Sequence, residues 1–173
     1  ALYAITTGDY NTAVGFNALS SNTTGDDNIA SGREALYSNT TGSYNTASGS
    51  AALQKNTTGS SNTASGNNAL QKNTTGDYNT AFGSRAGNLI TTGTLNTLIG
   101  EDADASANSA TNQTVVGSGS TGQADNSVTL GNADVTAIYM AQDSGATVYA
   151  GGLNLGGTAI TANATELNYL DGV

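Results

Sequence analysis

The chain contains no cysteine, no histidine and no proline. Without cysteine there is no disulfide framework and no thiol chemistry. Without histidine, the commonest general base and the commonest zinc ligand are both missing. Stacked sheets lose a ladder hydrogen bond at each proline, whereas flexible and polyproline segments usually contain it. Charge is scarce as well, at 10% of residues, and 4 Lys and Arg face 13 Asp and Glu. That balance argues against nucleic acid, whose phosphates need cations. No apolar run approaches the roughly 18 residues of a membrane-spanning helix. Low hydrophobicity with polar repeats ordinarily points to disorder. Here the net charge of -9 is modest for 173 residues, and the polar residues stand in fixed columns.

The columns come from one phrase. Tyr10-Asn11-Thr12-Ala13-Val14-Gly15 returns as Asp27 to Gly32, Tyr44 to Gly49, Ser61 to Gly66, Tyr78 to Gly83 and Leu95 to Gly100, with a step of 17 residues. Gln113 to Gly117 keeps the step after its surroundings have drifted. A second glycine series runs through Gly8, Gly25, Gly42, Gly59, Gly76 and Gly93. A fixed period of this length is the signature of a solenoid. Thr and Asn are poor helix formers, and two glycines per unit would cost a helix about 1 kcal/mol each. Short runs bounded by Gly and Asn read as strands and turns. The expected fold is therefore all-β: a parallel β-solenoid, or β-roll, of 17-residue coils. Two short strands are expected per coil, one on Asn-Thr-Ala and one near Ala-Leu. Domain organisation follows the repeat: residues 1–104 regular, 105–131 degenerate coils, and 132–173 a C-terminal β-rich trimeric segment. The first residues fall mid-repeat, as in a fragment of a longer chain.

Each column has a physical reading. Ala13, Ala30, Ala47, Ala64 and Ala81, continued by Leu98 and Val115, suit the inside of a narrow coil. Asn11, Asn28, Asn45, Asn62, Asn79 and Asn96 lie two residues earlier, on the same side of a strand. Stacked at about 4.8 Å, they can hydrogen-bond along the stack. The Thr12 column points the other way, with Ile29 as its exception. The glycines are expected at corners with positive φ.

Leu19, Leu36, Leu53 and Leu70 form a further column. A buried Leu is worth roughly 1.5–3 kcal/mol, against about 1–2 kcal/mol to order each backbone residue. The margin for a lone chain is thin, and packing solenoids side by side would bury this stripe. A parallel homotrimer with these four leucines at its interface is the preferred expectation; a dimer stays open. Beyond residue 101 the period loosens, and the step from Gly117 to Gly131 is 14. Alternating Val135, Ala137, Tyr139 and Val148 suggest paired strands over 134–150. Thr165 could cap a short helix, or the start of a stalk, carrying Leu167 and Leu170 on one face.

The Ser127-Val128-Thr129-Leu130-Gly131 phrase resembles the head repeat of trimeric autotransporter adhesins, which pattern as Ser-Val-Ala-Ile-Gly. The segment Asn126 to Gly152, and above all the closing Thr165-Glu166-Leu167-Asn168-Tyr169-Leu170-Asp171-Gly172-Val173, resembles the distal region of bacteriophage tail fibres upstream of an intramolecular chaperone. The resemblance spans essentially the whole chain. It implies a homotrimeric, left-handed β-roll in a virion fibre or at a cell surface. The 17-residue step departs from the shorter adhesin repeat, and neither a chaperone domain nor self-cleavage carries over.

These features give a structural fibre protein as the expected function: the shaft or receptor-binding segment of a phage tail fibre mediating host attachment. The alternative is a bacterial adhesin or a self-assembling extracellular filament, since exposed coil ends can stack head to tail. Expected partners are other copies of the chain and a host glycan or protein, with no nucleic acid, membrane insertion or cofactor. Tyr10, Tyr44 and Tyr78 share one column in alternate coils, about 9.6 Å apart at twice the strand spacing. Their rings could dock on sugars or simply decorate the surface. Glu101, Asp102 and Asp104 contain the spacing of a carboxylate pair and of half a calcium loop, but suit a solvated turn better. No catalytic or metal residue is therefore expected, with an ion at the end of a trimer axis left open. Asn22, Asn39, Asn56, Asn73, Asn112 and Asn163 match the N-glycosylation acceptor and are read as turn residues. The Thr12 column and the Thr6-Thr7 and Thr23-Thr24 pairs also admit an ice-ordering face.

Overall fold

The computed structural model describes residues 2–4, 6–136, 153–155 and 158–160. Contacts divide the chain into two units, Ala1–Thr136 and Ala137–Val173. In the first, eight strands form one sheet: β1 (Thr12–Val14), β2 (Ile29–Ser31), β3 (Thr46–Ser48), β4 (Thr63–Ser65), β5 (Thr80–Phe82), β6 (Thr97–Ile99), β7 (Gln113–Val116) and β8 (Ser127–Leu130). They pair in chain order and all in parallel. Ala13 lies opposite Ala30, Ala30 opposite Ala47 and Ala47 opposite Ala64. This is a β-solenoid with 17-residue coils. The last step shortens to 14, with Gln113 opposite Ser127. In the second unit, β9 (Leu153–Leu155) and β10 (Thr158–Ile160) pair antiparallel. Of the strands expected over 134–150, residues 134–136 are described and form no strand; residues 137–150 and the helix expected from Thr165 lie outside the described residues.

Each coil of the regular array holds one strand, not two. The Ala-Leu segment is a turn, because Leu19, Leu36, Leu53 and Leu70 all adopt φ between 48° and 51°. A left-handed residue breaks the period of two that a strand imposes. Ala35 and Leu36, which a strand would send to opposite sides, are both fully buried. The four leucines therefore line the inside of a single coil and cannot form an interface between chains. The expectation of a trimer sealed by a Leu stripe is overturned at this point. It assumed strand alternation where the backbone turns.

The core conserves volume between columns. One coil after Leu70 the chain carries Gly87, and one coil after Ala81 it carries Leu98. A Cβ added to Gly87 would lie 2.8 Å from both Leu70 Cδ2 and Leu98 Cδ1. Leu98 thus reaches into the space that a leucine at position 87 would fill. Interiors pack to crystal-like density, and here an enlarged residue in one column matches a vanished one in the other.

Two asparagine ladders run through the same interior. In the first, Asn45 donates from its main-chain N–H to Asn28 Oδ1 (3.0 Å) and from Nδ2 to Gly59 O (2.8 Å). Asn28, Asn62 and Asn79 repeat the pattern. In the second, Asn39 donates to Asn22 Oδ1, Asn56 to Asn39 Oδ1 and Asn73 to Asn56 Oδ1, at 2.8–2.9 Å. Each of these residues also donates to the glycine carbonyl three positions on. Asn45 and Asn56 thus share Gly59 O. Every rung is fully buried from Asn28 onward. The second ladder ends at Asn73, whose Oδ1 has no partner because the next coil carries Ile90 in that column.

The two glycine series serve different ends. Gly15 and its equivalents hold φ near 132–143°, as expected of corners. Gly42 and its equivalents have no positive φ. A Cβ at Gly42 would stand 2.3 Å from Gly59 O and 2.6 Å from Asn39 Oδ1. This series is glycine because two ladders and a backbone converge on it.

Candidate functional site: the outward face of the sheet

Strand alternation turns the first and third residue of the three-residue strands outward, and the second and fourth of β7 and β8. The Thr12 column and the Val14 column (Val14, Ser31, Ser48, Ser65, Phe82, Ile99, Val116, Leu130) therefore cover one side of the sheet. The Tyr10 column borders them. Tyr10, Tyr44 and Tyr78 are 83%, 64% and 62% exposed. Ile29, Phe82, Leu95, Ile99, Val128 and Leu130 are exposed too. Of these three columns of eight residues, only Asp27 carries charge.

The tyrosines sit on unusual backbone. Their φ values are 57°, 61° and 57°, a region that L-residues other than Asn, Asp and Gly rarely adopt. The same column holds Asp27, Asn112 and Asn126 elsewhere, the residue types that tolerate it. A bulky ring at such a position accepts local strain of about 1–3 kcal/mol. Sequence alone does not reveal the strain, because the column reads there as the ordinary start of a strand.

The acidic stretch after coil six forms separate contacts. Arg85 spans Asp102 with two hydrogen bonds, one of 2.5 Å from Nε, and its guanidinium also lies 3.6 Å from Glu101. That bonding holds the Asp102 carboxyl below its ordinary range and raises the Arg85 pKa. Asp104 accepts the Leu89 N–H at 2.8 Å. Its carboxyl is pushed up by burial, with the N–H groups of Leu89 and Ala105 and the charge of Lys72 opposing. Each side chain is engaged in closing the loosened coil. Among the described residues, no group of three or more acidic residues is placed to hold a metal ion. No helix among the described residues is long and apolar enough to cross a membrane.

The glycosylation motifs change meaning. Asn22, Asn39, Asn56 and Asn73 are fully buried and their amides are bonded in the second ladder. They are interior rungs, not turn residues at φ > 0, and no glycan could reach them in the folded coil. Asn112 is exposed, at φ 53°, and bonded to Asn126; Asn163 lies outside the described residues. In the Thr pairs, the first hydroxyl is already spent: Thr23 Oγ1 donates to Thr40 O and Thr40 Oγ1 to Thr57 O, both at 3.0 Å. From the second coil on, the second threonine of each pair, such as Thr24 or Thr41, is the more exposed of the two. Searches against protein-family models, curated proteins and solved structures find no match to this chain.

Proposed function

We propose that this chain is a structural segment of an extracellular fibre, and specifically the shaft or receptor-binding segment of a phage tail fibre that mediates host attachment. The observation that carries this is the unbroken parallel ladder. Eight strands at about 4.8 Å give a rod about 34 Å long, tied from coil to coil by backbone, asparagine and threonine hydrogen bonds. Such a stack resists bending and sets distance, which is the work of a shaft. The closing residues Thr165–Val173, with their likeness to tail fibres, supply the virion context. The strained, exposed tyrosine column supplies the contact surface for a host glycan or protein. No residue is assigned a catalytic role.

A bacterial adhesin or extracellular filament is the second proposal, favoured by the Ser127–Gly131 phrase. Immunogold electron microscopy with antibodies raised against the whole chain separates the two. Label on virion tail fibres is the expected result. Label on bacterial surfaces would select the adhesin, and label on neither would refute both.

A further inference from the structure

We infer that the tyrosine column takes an extended, uncharged β-1,4-linked glycan lying along the solenoid axis. This rests on the fibre proposal and names the substrate class of its contact surface.

Spacing carries the inference. Tyr10, Tyr44 and Tyr78 stand in alternate coils, about 9.6 Å apart at twice the strand spacing. Aromatic pairs interact at centroid distances of about 4.5–7 Å. These rings are therefore spaced too widely to stack on one another, and each is left to a ligand. In a β-1,4-linked pyranose chain each sugar is turned over relative to the one before. Every second sugar thus presents the same face in the same orientation. One sugar spans close to one strand spacing, so a chain laid along the stack brings an equivalent sugar to each tyrosine. The axial C–H groups of an equatorially substituted pyranose make its faces apolar, and they match the electron-rich face of an aromatic ring. An extended peptide falls out of step, because its side chains recur on one side every ~6.8 Å.

The positions between the tyrosines suit the turned sugars. Asp27 and Ser61 are short and carry oxygens that accept hydrogen bonds from sugar hydroxyls. The backbone beneath is fixed in advance. The N–H groups of Asp27, Tyr44, Ser61 and Tyr78 each donate to a carbonyl of the preceding coil at 2.9–3.1 Å. Contacts fixed in this way lose less freedom on binding. The tyrosines hold φ of 57–61°, and backbone strain of that kind collects at ligand contacts. Charge narrows the glycan further. A net charge of -9 repels an acidic polysaccharide, while the column itself carries only Asp27.

Calorimetric titration of the full chain with cello- and chito-oligosaccharides tests this. The first, third and fifth sugars of a pentasaccharide meet the three tyrosines. Affinity should rise roughly tenfold or more from trisaccharide to pentasaccharide. It should then level off at the hexasaccharide, whose last sugar lies over Leu95. Binding of either series supports the inference, and comparing them shows whether the acetamido group is accepted. Maltopentaose, whose α-links curve the chain, should not bind. Tyr44→Asn removes the central ring and suits the left-handed backbone, as Asn112 and Asn126 do. Its melting temperature should equal or exceed the parent's while pentasaccharide affinity falls roughly tenfold or more. Tyr44→Phe keeps the ring and should keep the affinity. Failure of both series, no gain with length, equal binding of maltopentaose, or a Tyr44→Asn chain that binds as tightly as the parent would overturn the inference. Label on tail fibres without oligosaccharide binding would sink this inference and leave the fibre assignment standing; binding without such label would do the reverse.

Discussion

Replacing Asn45 by alanine tests whether the asparagine ladder holds the solenoid together. The side chain takes part in four hydrogen bonds. It donates to Asn28 Oδ1 (3.1 Å) and Gly59 O (2.8 Å), and its Oδ1 accepts from the main-chain N–H and Nδ2 of Asn62 (3.0 and 3.2 Å). Three of the four partners keep another bond after the change. Asn28 Oδ1 retains the Asn45 N–H, Gly59 O retains Asn56 Nδ2, and Asn62 Nδ2 retains Gly76 O. The Asn62 main-chain N–H, fully buried, is left with nothing. An orphaned buried donor costs about 1–3 kcal/mol, and the remaining lost bonds add about 1–2 kcal/mol, so a loss of about 2–5 kcal/mol is expected. Denaturant unfolding followed by circular dichroism measures it. Hydrogen exchange at the Asn62 amide reads the orphan directly, and its protection should fall. Thr46→Ala, one residue away but facing outward, should stay within about 0.5 kcal/mol. If Asn45→Ala costs less than about 1 kcal/mol and the Asn62 amide stays protected, the ladder is not what stabilises the coil.

Three further outcomes follow from the packing. Gly42→Ala should be severely destabilising by denaturant midpoint, since the new Cβ meets Gly59 O at 2.3 Å, a backbone atom of the next coil; full stability would show that the coils can spread. Leu98→Ala should cost about 2–5 kcal/mol. Adding Gly87→Leu should recover part of that loss, because the double change restores the Ala and Leu of the preceding coils; additive losses in a double-mutant cycle would refute the shared volume. For Asp104, burial raises the folded pKa above the ordinary 3.8. The folded state then binds more protons in that window, so its contribution to stability is present below pH 3.8 and is lost as pH rises through the folded pKa. Asp104→Asn keeps an oxygen for the Leu89 N–H and should match or exceed the parent melting temperature at pH 7, with the difference vanishing at low pH. Asp102 runs the opposite way, its stabilisation present above pH 3.8 and lost on acidification. A lower melting temperature for Asp104→Asn at pH 7 would show that the attraction to Lys72 outweighs burial.

The period, the parallel stacking, the inward alanines and the first asparagine ladder were all legible in the sequence. Repetition makes them so: a residue recurring every 17 positions stacks on itself, and polarity with period two tells which side it faces. What the sequence hid were the left-handed residues. Glu34, Leu36 and Tyr44 occupy φ of 58°, 51° and 61° within one coil. None is a residue type that announces such a conformation, so the Ala-Leu turn read as a strand and Leu36 read as a surface residue. The second ladder was hidden for a related reason. Asn39 lies in an Asn-Thr-Thr-Gly run that composition assigns to a turn. Its burial depends on where the preceding Leu turns the chain.

The mixture of alanine and asparagine inside the coil has a consequence for how the sequence selects its register. Alanine buries little area, so its column discriminates weakly between one pairing of coils and another. A slip of one residue would turn Asn45 outward and bring Thr46 against the interior. The alanine contribution would change modestly, but every rung would forfeit its side-chain bonds and strand buried N–H groups such as that of Asn62. The penalty repeats in each coil, so it grows with the length of the stack. The leucines supply most of the apolar burial, and the asparagines supply most of the difference in energy between the correct stack and a shifted one. A narrow coil of small residues can thereby hold a single register without a large hydrophobic core, and the outward columns are left free to vary with what they contact.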